Sequence, residues 1–369
     1  MSLAKDAGQL LWVGFDGTRV PDELAARIAG GAVGGVVVFG RNLTGDLEET
    51  AGLCRALHAA SPELPLVLAV DQEGGRVQRL KPPFLALPPM ARLGALGDAA
   101  LAEAVGRALG TELATLGFNV DFAPVLDVHT NPQNPVIGDR ALGTTPELVA
   151  RLGTALLRGL AGTGVLGCVK HFPGHGDTDT DSHLALPRVT HSLERMRSVE
   201  LAPFSAAIDA GASLVMTAHV IFDALDPGVP ATLSRKVMGE LLGRQLGFRG
   251  VCVSDDLEMK AIADHYGVPE AGVLAVRAGC DALLVCRNVA WQVQTHDALV
   301  REAERSAELR ARLGEAADRV RALRRRLLRP TLDPAAAAAR FPFPAHAELE
   351  KRLGAPAGSL LDPTEMGRS

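Results

Sequence analysis

The segment Lys170-His171-Phe172-Pro173-Gly174-His175-Gly176-Asp177-Thr178-Asp179-Thr180-Asp181-Ser182-His183 carries three histidines and three aspartates directly after an apolar run. It is too polar to bury unpaired and too broken by Gly and Pro to be a helix, so it reads as a loop that holds titratable groups in place. Imidazoles beside carboxylates suit proton transfer near neutrality. His171, His175, Asp177, Asp181, His183 and His219 are also permissible Zn²⁺ or Mn²⁺ ligands, which gives a metal-dependent hydrolase as the rival reading. Against it, Pro173 and Gly174 keep His171 and His175 from sharing one helical face.

These residues need elements to position them. Short Val-, Leu- and Ile-rich runs alternate with amphipathic stretches, as expected for parallel strands covered by helices. The strand candidates are residues 11–15, 35–39, 66–70, 120–124, 167–171, 214–219, 251–254 and 282–286, eight in all. Helix candidates lie at 21–29, 47–60, 99–116, 146–161, 193–210, 235–246, 259–278 and 296–328. Thr144 or Thr145, Ser192 and Ser234 offer N-caps, and Gly117, Gly211, Gly247 and Gly279 offer C-terminal stops. Eight repeats in this length predict a single-domain α/β fold of the (β/α)8 type, which needs about 250 residues plus insertions. A doubly wound sheet is the alternative, since periodicity cannot show closure.

Polar groups then fall at the strand ends: Asp71-Gln72-Glu73, Asp127 with His129, Lys170 with His171, His219, and Asp255-Asp256. In a parallel barrel those ends share one mouth. The barrel is expected over residues 1–329, and the Pro/Ala-rich stretch 330–369 is expected to be an extended tail, with at most a short helix, that wraps the barrel or stays mobile.

Composition narrows the class. An apolar content of 47% excludes general disorder, and a net charge of −5 without a basic, aromatic-interleaved stripe argues against nucleic acid. The cluster Arg324, Arg325, Arg326 reads as a solvated face or helix end. Five scattered cysteines read as reduced, buried thiols. The N-terminus lacks the apolar region of a signal peptide, and no run approaches the roughly 20 apolar residues of a membrane span. A cytoplasmic protein, more readily monomeric than oligomeric, with no membrane or nucleic-acid partner, is the expectation.

Four motifs resemble glycoside hydrolase family 3, in particular its single-domain bacterial β-N-acetylglucosaminidases of cell-wall recycling. They are residues 71–79 (Asp-Gln-Glu-Gly-Gly-Arg-Val-Gln-Arg), 134–140 (Asn-Pro-Val-Ile-Gly-Asp-Arg), 170–183, and 253–259 (Val-Ser-Asp-Asp-Leu-Glu-Met), spread across roughly residues 8 to 290 in family order. The resemblance implies a (β/α)8 barrel, no metal or other cofactor, and retaining hydrolysis of a terminal β-linked N-acetylglucosamine from muropeptide-type saccharides. A retaining enzyme needs a nucleophile and a proton donor, commonly carboxyls about 5 to 5.5 Å apart.

By resemblance the nucleophile is Asp255, with Asp256 capping the following helix or bracing the loop. In many two-domain members a Glu of the second domain donates the proton; the likeness gives that task here to His183, paired with Asp181, which would orient the imidazole and favour its protonated form. Asp71, Arg79, Arg140, Lys170 and His171 take the sugar-binding role. Glu73 and Arg76 are expected in ion pairs that fix the third loop, His175 in a structural turn, and His219 lining the pocket or orienting Asp255. A non-catalytic sugar-binding barrel, a β-glucosidase, a phosphorylase and substrate-assisted catalysis by the acetamido oxygen stay open.

Overall fold

A computed structural model describes residues 2–178, 186–354 and 362. Eight parallel strands close into a barrel: Leu11–Val13, Gly35–Val38, Val67–Val70, Val120–Asp121, Leu166–Phe172, Leu214–Thr217, Val251–Asp256 and Ala282–Val285. Each pairs with its sequence neighbour, and the first closes on the eighth through Leu11 to Leu283. All eight expected strands are present, and the doubly wound alternative is excluded by closure. Two register shifts interrupt the ladder, between Val169 and Phe172 and between Val253 and Asp256. They fall where Lys170, His171 and Asp255 must turn toward the mouth, as bulges do beside active sites.

Trp12, Val37, Val67, Val120, Phe122, Leu214, Val253 and Leu284 fill the barrel interior, joined by Val320, Leu323 and Leu327 from the last long helix and the residues after it. A second apolar layer packs the helices on the outside of the strands. The five cysteines are all buried thiols. No helix among the described residues is long and apolar enough to cross a membrane.

Three expected helices are each divided in two. Pro203, at the start of Ala202–Asp209, separates it from Leu193–Ser198. Gly267, at φ 72°, parts Lys260–Tyr266 from Val268–Ala278. Ser306, extended and accepting from the Leu309 N–H at 3.2 Å, restarts the chain after Val289–Arg305 as Ala307–Arg324. Ser192 and Ser234 accept from the N–H groups of Arg195 and Val237, each at 3.2 Å, whereas Thr145 precedes Pro146 without a side-chain cap. The helices Leu3–Leu10 and Met90–Leu96 were not expected.

Arg324 corrects the reading of its cluster. It is 3% exposed, its guanidinium donates to the Pro65 carbonyl and the Ser61 hydroxyl, each at 2.8 Å, and burial brings its pKa down to about 10. Beyond residue 330 the chain forms two short helices, Pro334–Ala338 and Ala347–Leu353. Between them Phe341 stacks on Phe84 and is met edge-on by Phe343, and the His346 ring donates to Glu112 at 2.6 Å. The tail thus lies along the insertion between the third and fourth strands.

Candidate active site

A cavity opens at the C-terminal ends of the strands, lined by Asp71, Arg140, Lys170, His171, His175, Asp255 and Asp256 over a floor that includes Phe122, Met216 and Leu284. Five residues far apart in sequence and expected to share a mouth, Asp71, Arg140, Lys170, His171 and Asp255, therefore do so. Arg79 stands directly behind Asp71, 3.3 Å away. Asp181 and His183 lie outside the described residues.

The floor of polar recognition is an ion-pair network. Lys170 Nζ lies 2.8 Å from Asp71 Oδ1 and 2.6 Å from Glu73 Oε1. Arg140 grips Glu73 through two bonds of 2.8 Å, so Glu73 is the hub of the expected ion pairs. Burial pushes the Glu73 carboxyl up, but Arg140 and Lys170 outweigh it and bring the pKa down to about 2. Burial would likewise discharge Arg140 and Lys170, yet Glu73 holds Arg140, and Asp71 with Glu73 hold Lys170, well above their ordinary ranges. Both cations stay charged at every working pH and present donors only. Arg76 pairs with Asp139 at 3.0 Å and donates to the Val136 carbonyl at 2.9 Å, which pins the loop carrying Arg140.

A second centre is Asp127, fully buried at the fourth strand's end. Its Oδ2 accepts from His171 Nδ1 at 2.7 Å, and its Oδ1 accepts from the N–H groups of His171 and His175 at 3.2 and 2.6 Å. Burial alone would raise its pKa, but His171 and the hydrogen bonds bring it below the ordinary carboxylate range. His175 has the structural role expected, with two additions: its Nδ1 meets the Thr178 hydroxyl at 2.8 Å, and its ring faces the cavity. Burial, reinforced by His171, lowers its pKa to about 4, so it is neutral near pH 7. Asn134 ties the two loops together. Its Oδ1 accepts from Val136 and Ile137, and its Nδ2 donates to the His175 carbonyl at 2.8 Å and to Thr178 Oγ1 at 3.1 Å.

Asp255 is partly exposed where the seventh strand meets the mouth. Its N–H donates to Thr217 Oγ1 at 3.3 Å, and its Oδ1 accepts from the Asp256 N–H at 2.8 Å. Asp256 braces the loop by accepting from the Glu258 N–H at 3.1 Å; it does not cap the next helix, whose N-cap is Met259. His219 donates from Nε2 to the Asp256 carbonyl at 3.0 Å, so it steadies the strand end rather than touching the cavity.

Sequence reasoning gave no role to Asp121, Asn134 or Thr178. Asp121 is wholly buried, accepts from the Gln72 N–H at 3.0 Å, and burial raises its pKa far above the carboxylate norm. It was hidden because an Asp inside an apolar strand run carries no spacing signal.

The metal reading loses His219, whose two ring nitrogens are both taken, whereas a bond at Nδ1 alone, as in His171 and His175, does not bar Nε2 from a metal. Nδ1 of His171 is engaged by Asp127, Nδ1 of His175 by Thr178, and both ring nitrogens of His219 by Thr232 and the Asp256 carbonyl. Among the described residues, Asp177, His191 and Glu200 bring ligand atoms within 4.8 Å of one another. Arg195 already stands there, 3.5 Å from Asp177 and 3.2 Å from Glu200, as the counter-charge.

Comparison with known proteins gives the family and the fold. The family described as "Glycosyl hydrolase family 3 N terminal domain" matches residues 2–323. A beta-hexosaminidase of Neisseria meningitidis serogroup C (strain 053442) is 42% identical over 279 residues, 73% of this chain and 76% of that protein. The structure of a glycoside hydrolase family 3 beta-N-acetylglucosaminidase from Paenibacillus sp. str. FPU-7 superposes with a TM-score of 0.85 at 45% identity, over 88% of this chain. The chain spans 62% of that protein's length. A beta-N-acetylhexosaminidase from Beutenbergia cavernae DSM 12333 gives a TM-score of 0.82 at 34% identity, covering 88% of this chain and 98% of that one.

Proposed function

Because this chain belongs to glycosyl hydrolase family 3, we propose that it is a β-N-acetylhexosaminidase that releases terminal, non-reducing β-linked N-acetylglucosamine with retention, through a covalent glycosyl-enzyme. The observation that carries this reading is the single cavity in which the Asp255 carboxylate shares space with Asp71, Lys170 and Arg140. Charged donors and an acceptor arranged on one side fix sugar hydroxyls, while a carboxylate at a strand end can reach the anomeric carbon.

In the proposed reaction an Asp255 oxygen bonds to C1 as the bond from C1 to the leaving oxygen breaks, and His183 delivers the proton that this oxygen needs. Water then attacks C1, gives its proton to His183, and restores the Asp255 carboxylate. Asp181 orients and charges the imidazole. Muropeptide-type saccharides of cell-wall turnover are the proposed substrates, and the buried thiols support a reducing, cytoplasmic setting.

The test is to incubate the protein with a 5-fluoro N-acetylglucosaminyl fluoride, which keeps the 2-acetamido group, and locate the adduct by peptide mass spectrometry. Label on Asp255 is expected. Label elsewhere, or turnover that persists in Asp255→Ala, would overturn the nucleophile. Full turnover with no adduct on any residue would favour attack by the acetamido oxygen.

A further inference from the structure

The ion pairs of the active site form one alternating chain. Arg140 binds Glu73, Glu73 binds Lys170, Lys170 binds Asp71, Asp71 binds Arg79, and Arg79 binds Asp362. Four of these six residues come from the loops at the barrel mouth and Lys170 from the fifth strand. The sixth belongs to the C-terminal tail, to which the sequence assigned no function.

We infer that Asp362 is a positioning residue of the sugar pocket, holding Arg79 so that Asp71 keeps the orientation in which it binds a sugar hydroxyl. This rests on the proposed function, which gives Asp71 its role in binding the sugar.

Charge supplies the first argument. Three cations, Arg140, Lys170 and Arg79, alternate with Glu73 and Asp71, and the third carboxylate is Asp362. The side chains of Arg79 and Asp362 are only 2% and 17% exposed, so their contact is not a loose surface pair. An arginine this deep requires carboxylate partners, because removing one leaves the other charge buried and poorly solvated.

Geometry supplies the second. Arg79 reaches Asp71 with Nη2 and Asp362 with Nη1, so the two ends of the guanidinium serve different carboxylates. The planar fork prefers to grip one carboxylate with two bonds. Without Asp362 the Nη1 end of the fork loses a carboxylate, and Arg79 no longer holds Asp71 in the same orientation. Asp71 lines the cavity and Arg79 does not, so the effect of Asp362 reaches substrate only through this relay.

The path of the tail supplies the third. It is tied repeatedly to the insertion that follows Arg79. Phe341 packs on Phe84, Glu350 accepts from the Ala86 N–H at 3.4 Å, the Leu353 carbonyl accepts from Arg92 at 3.2 Å, and Arg352 pairs with Asp98 at 2.9 Å. Asp362 lies nine positions beyond Leu353 (362 − 353), a reach of at most about 30 Å in extended chain. The tail is therefore anchored beside the residue that Asp362 contacts.

The experiment measures kcat and KM of the full chain on an aryl β-N-acetylglucosaminide for wild type, Asp362→Ala, Asp362→Glu, Arg79→Ala and the double variant Arg79→Ala with Asp362→Ala, with Tm for each. A contact that acts on bound sugar and transition state alike raises KM and spares kcat. Asp362→Ala is expected to raise KM by about tenfold with kcat within about twofold, Asp362→Glu to recover much of that loss, and Asp362→Ala to add nothing once Arg79 is alanine. An unchanged KM overturns the inference even if Tm falls. So does a lowered KM, which would make the contact a block on the site, or an equal KM increase in the Arg79→Ala background. Should Asp362→Ala fail to fold, Asp362→Asn removes the charge at constant size and is read in the same way. A wild type without turnover removes the proposed function and this inference together; an active wild type beside an unaffected Asp362→Ala removes the inference alone.

Discussion

His171 Nδ1 donates to Asp127 at 2.7 Å, and the other oxygen of that same carboxylate holds the backbone N–H of His171 as well. One buried side chain thereby sets both the ring plane of His171 and the path of the main chain through it. The tautomer follows, because Nδ1 must carry the proton that Asp127 accepts, and Nε2 is left as the atom that can face a ligand.

Replacing Asp127 by Ala should lower kcat/KM on an aryl N-acetylglucosaminide by at least about tenfold and destabilise the fold by about 1 to 3 kcal/mol or more, the cost of leaving the buried donors of His171 and His175 without their acceptor. Steady-state kinetics and urea unfolding check the two parts. Unchanged kinetics in a folded variant would show that the orientation of His171 is irrelevant to the sugar.

Asp71→Ala should cost at least about tenfold in kcat/KM, since it deletes an acceptor in the cavity and leaves Lys170 with one carboxylate fewer. A kinetic titration of the purified variant decides it, and wild-type efficiency would remove Asp71 from sugar binding.

His175 makes stability depend on pH. Its folded pKa, about 4, lies below the ordinary 6.5, because burial and His171 favour the neutral ring. The stabilisation is fully present above 6.5 and is lost as pH falls from 6.5 through 4, with a slope of up to about 1.4 kcal/mol per pH unit from this one proton. Urea unfolding between pH 7 and 4 should show a shallower pH dependence in His175→Gln than in wild type. Glu73 acts lower down: its depressed pKa of about 2 stabilises the fold above about 4.5 and is lost as pH falls from there toward 2. Equal slopes for wild type and His175→Gln between pH 6.5 and 4 would contradict the assignment.

Gly176→Ala should disrupt the turn before Asp177, because its Cβ would stand 1.9 Å from the Val128 carbonyl oxygen, a backbone atom that cannot step aside. A fall in Tm of several degrees with a loss of turnover is expected. Gly314→Ala is the control, since an added methyl there meets nothing within 4 Å and sits in the helix Ala307–Arg324; a Tm loss of equal size in both variants would refute the clash.

Chelation gives a simple check on the metal rival. Dialysis against EDTA should leave turnover unchanged, because Arg195 already supplies the positive charge between Asp177 and Glu200. Loss of activity that returns with added Zn²⁺ would revive the metal-dependent reading.

The barrel was legible because eight short runs rich in Val, Leu and Ile leave a strong periodic trace, and the strand-end rule then gathered Asp71, Lys170, His171 and Asp255 at one mouth. Helix breaks were less legible. Gly267 and Ser306 sit inside amphipathic patterns whose periodicity continues across them, so the pattern hid the interruption. The second layer of the site was largely invisible: Asp121 and Asn134 act through long-range backbone contacts, such as Asn134 to the His175 carbonyl, that no local spacing encodes. Arg324 misled for a related reason, since an arginine in a charged run looks solvated until the Pro65 carbonyl and the Ser61 hydroxyl meet it from 259 and 263 residues away.

Val320, Leu323 and Leu327 stop the barrel from below, and Phe122, Met216 and Leu284 floor the cavity above them. A chain entering from the mouth therefore cannot thread through the barrel. Joined to the proposed release of terminal units, this closed end means that polymers shorten stepwise without midchain scission, and a viscous substrate keeps most of its viscosity while free monosaccharide accumulates.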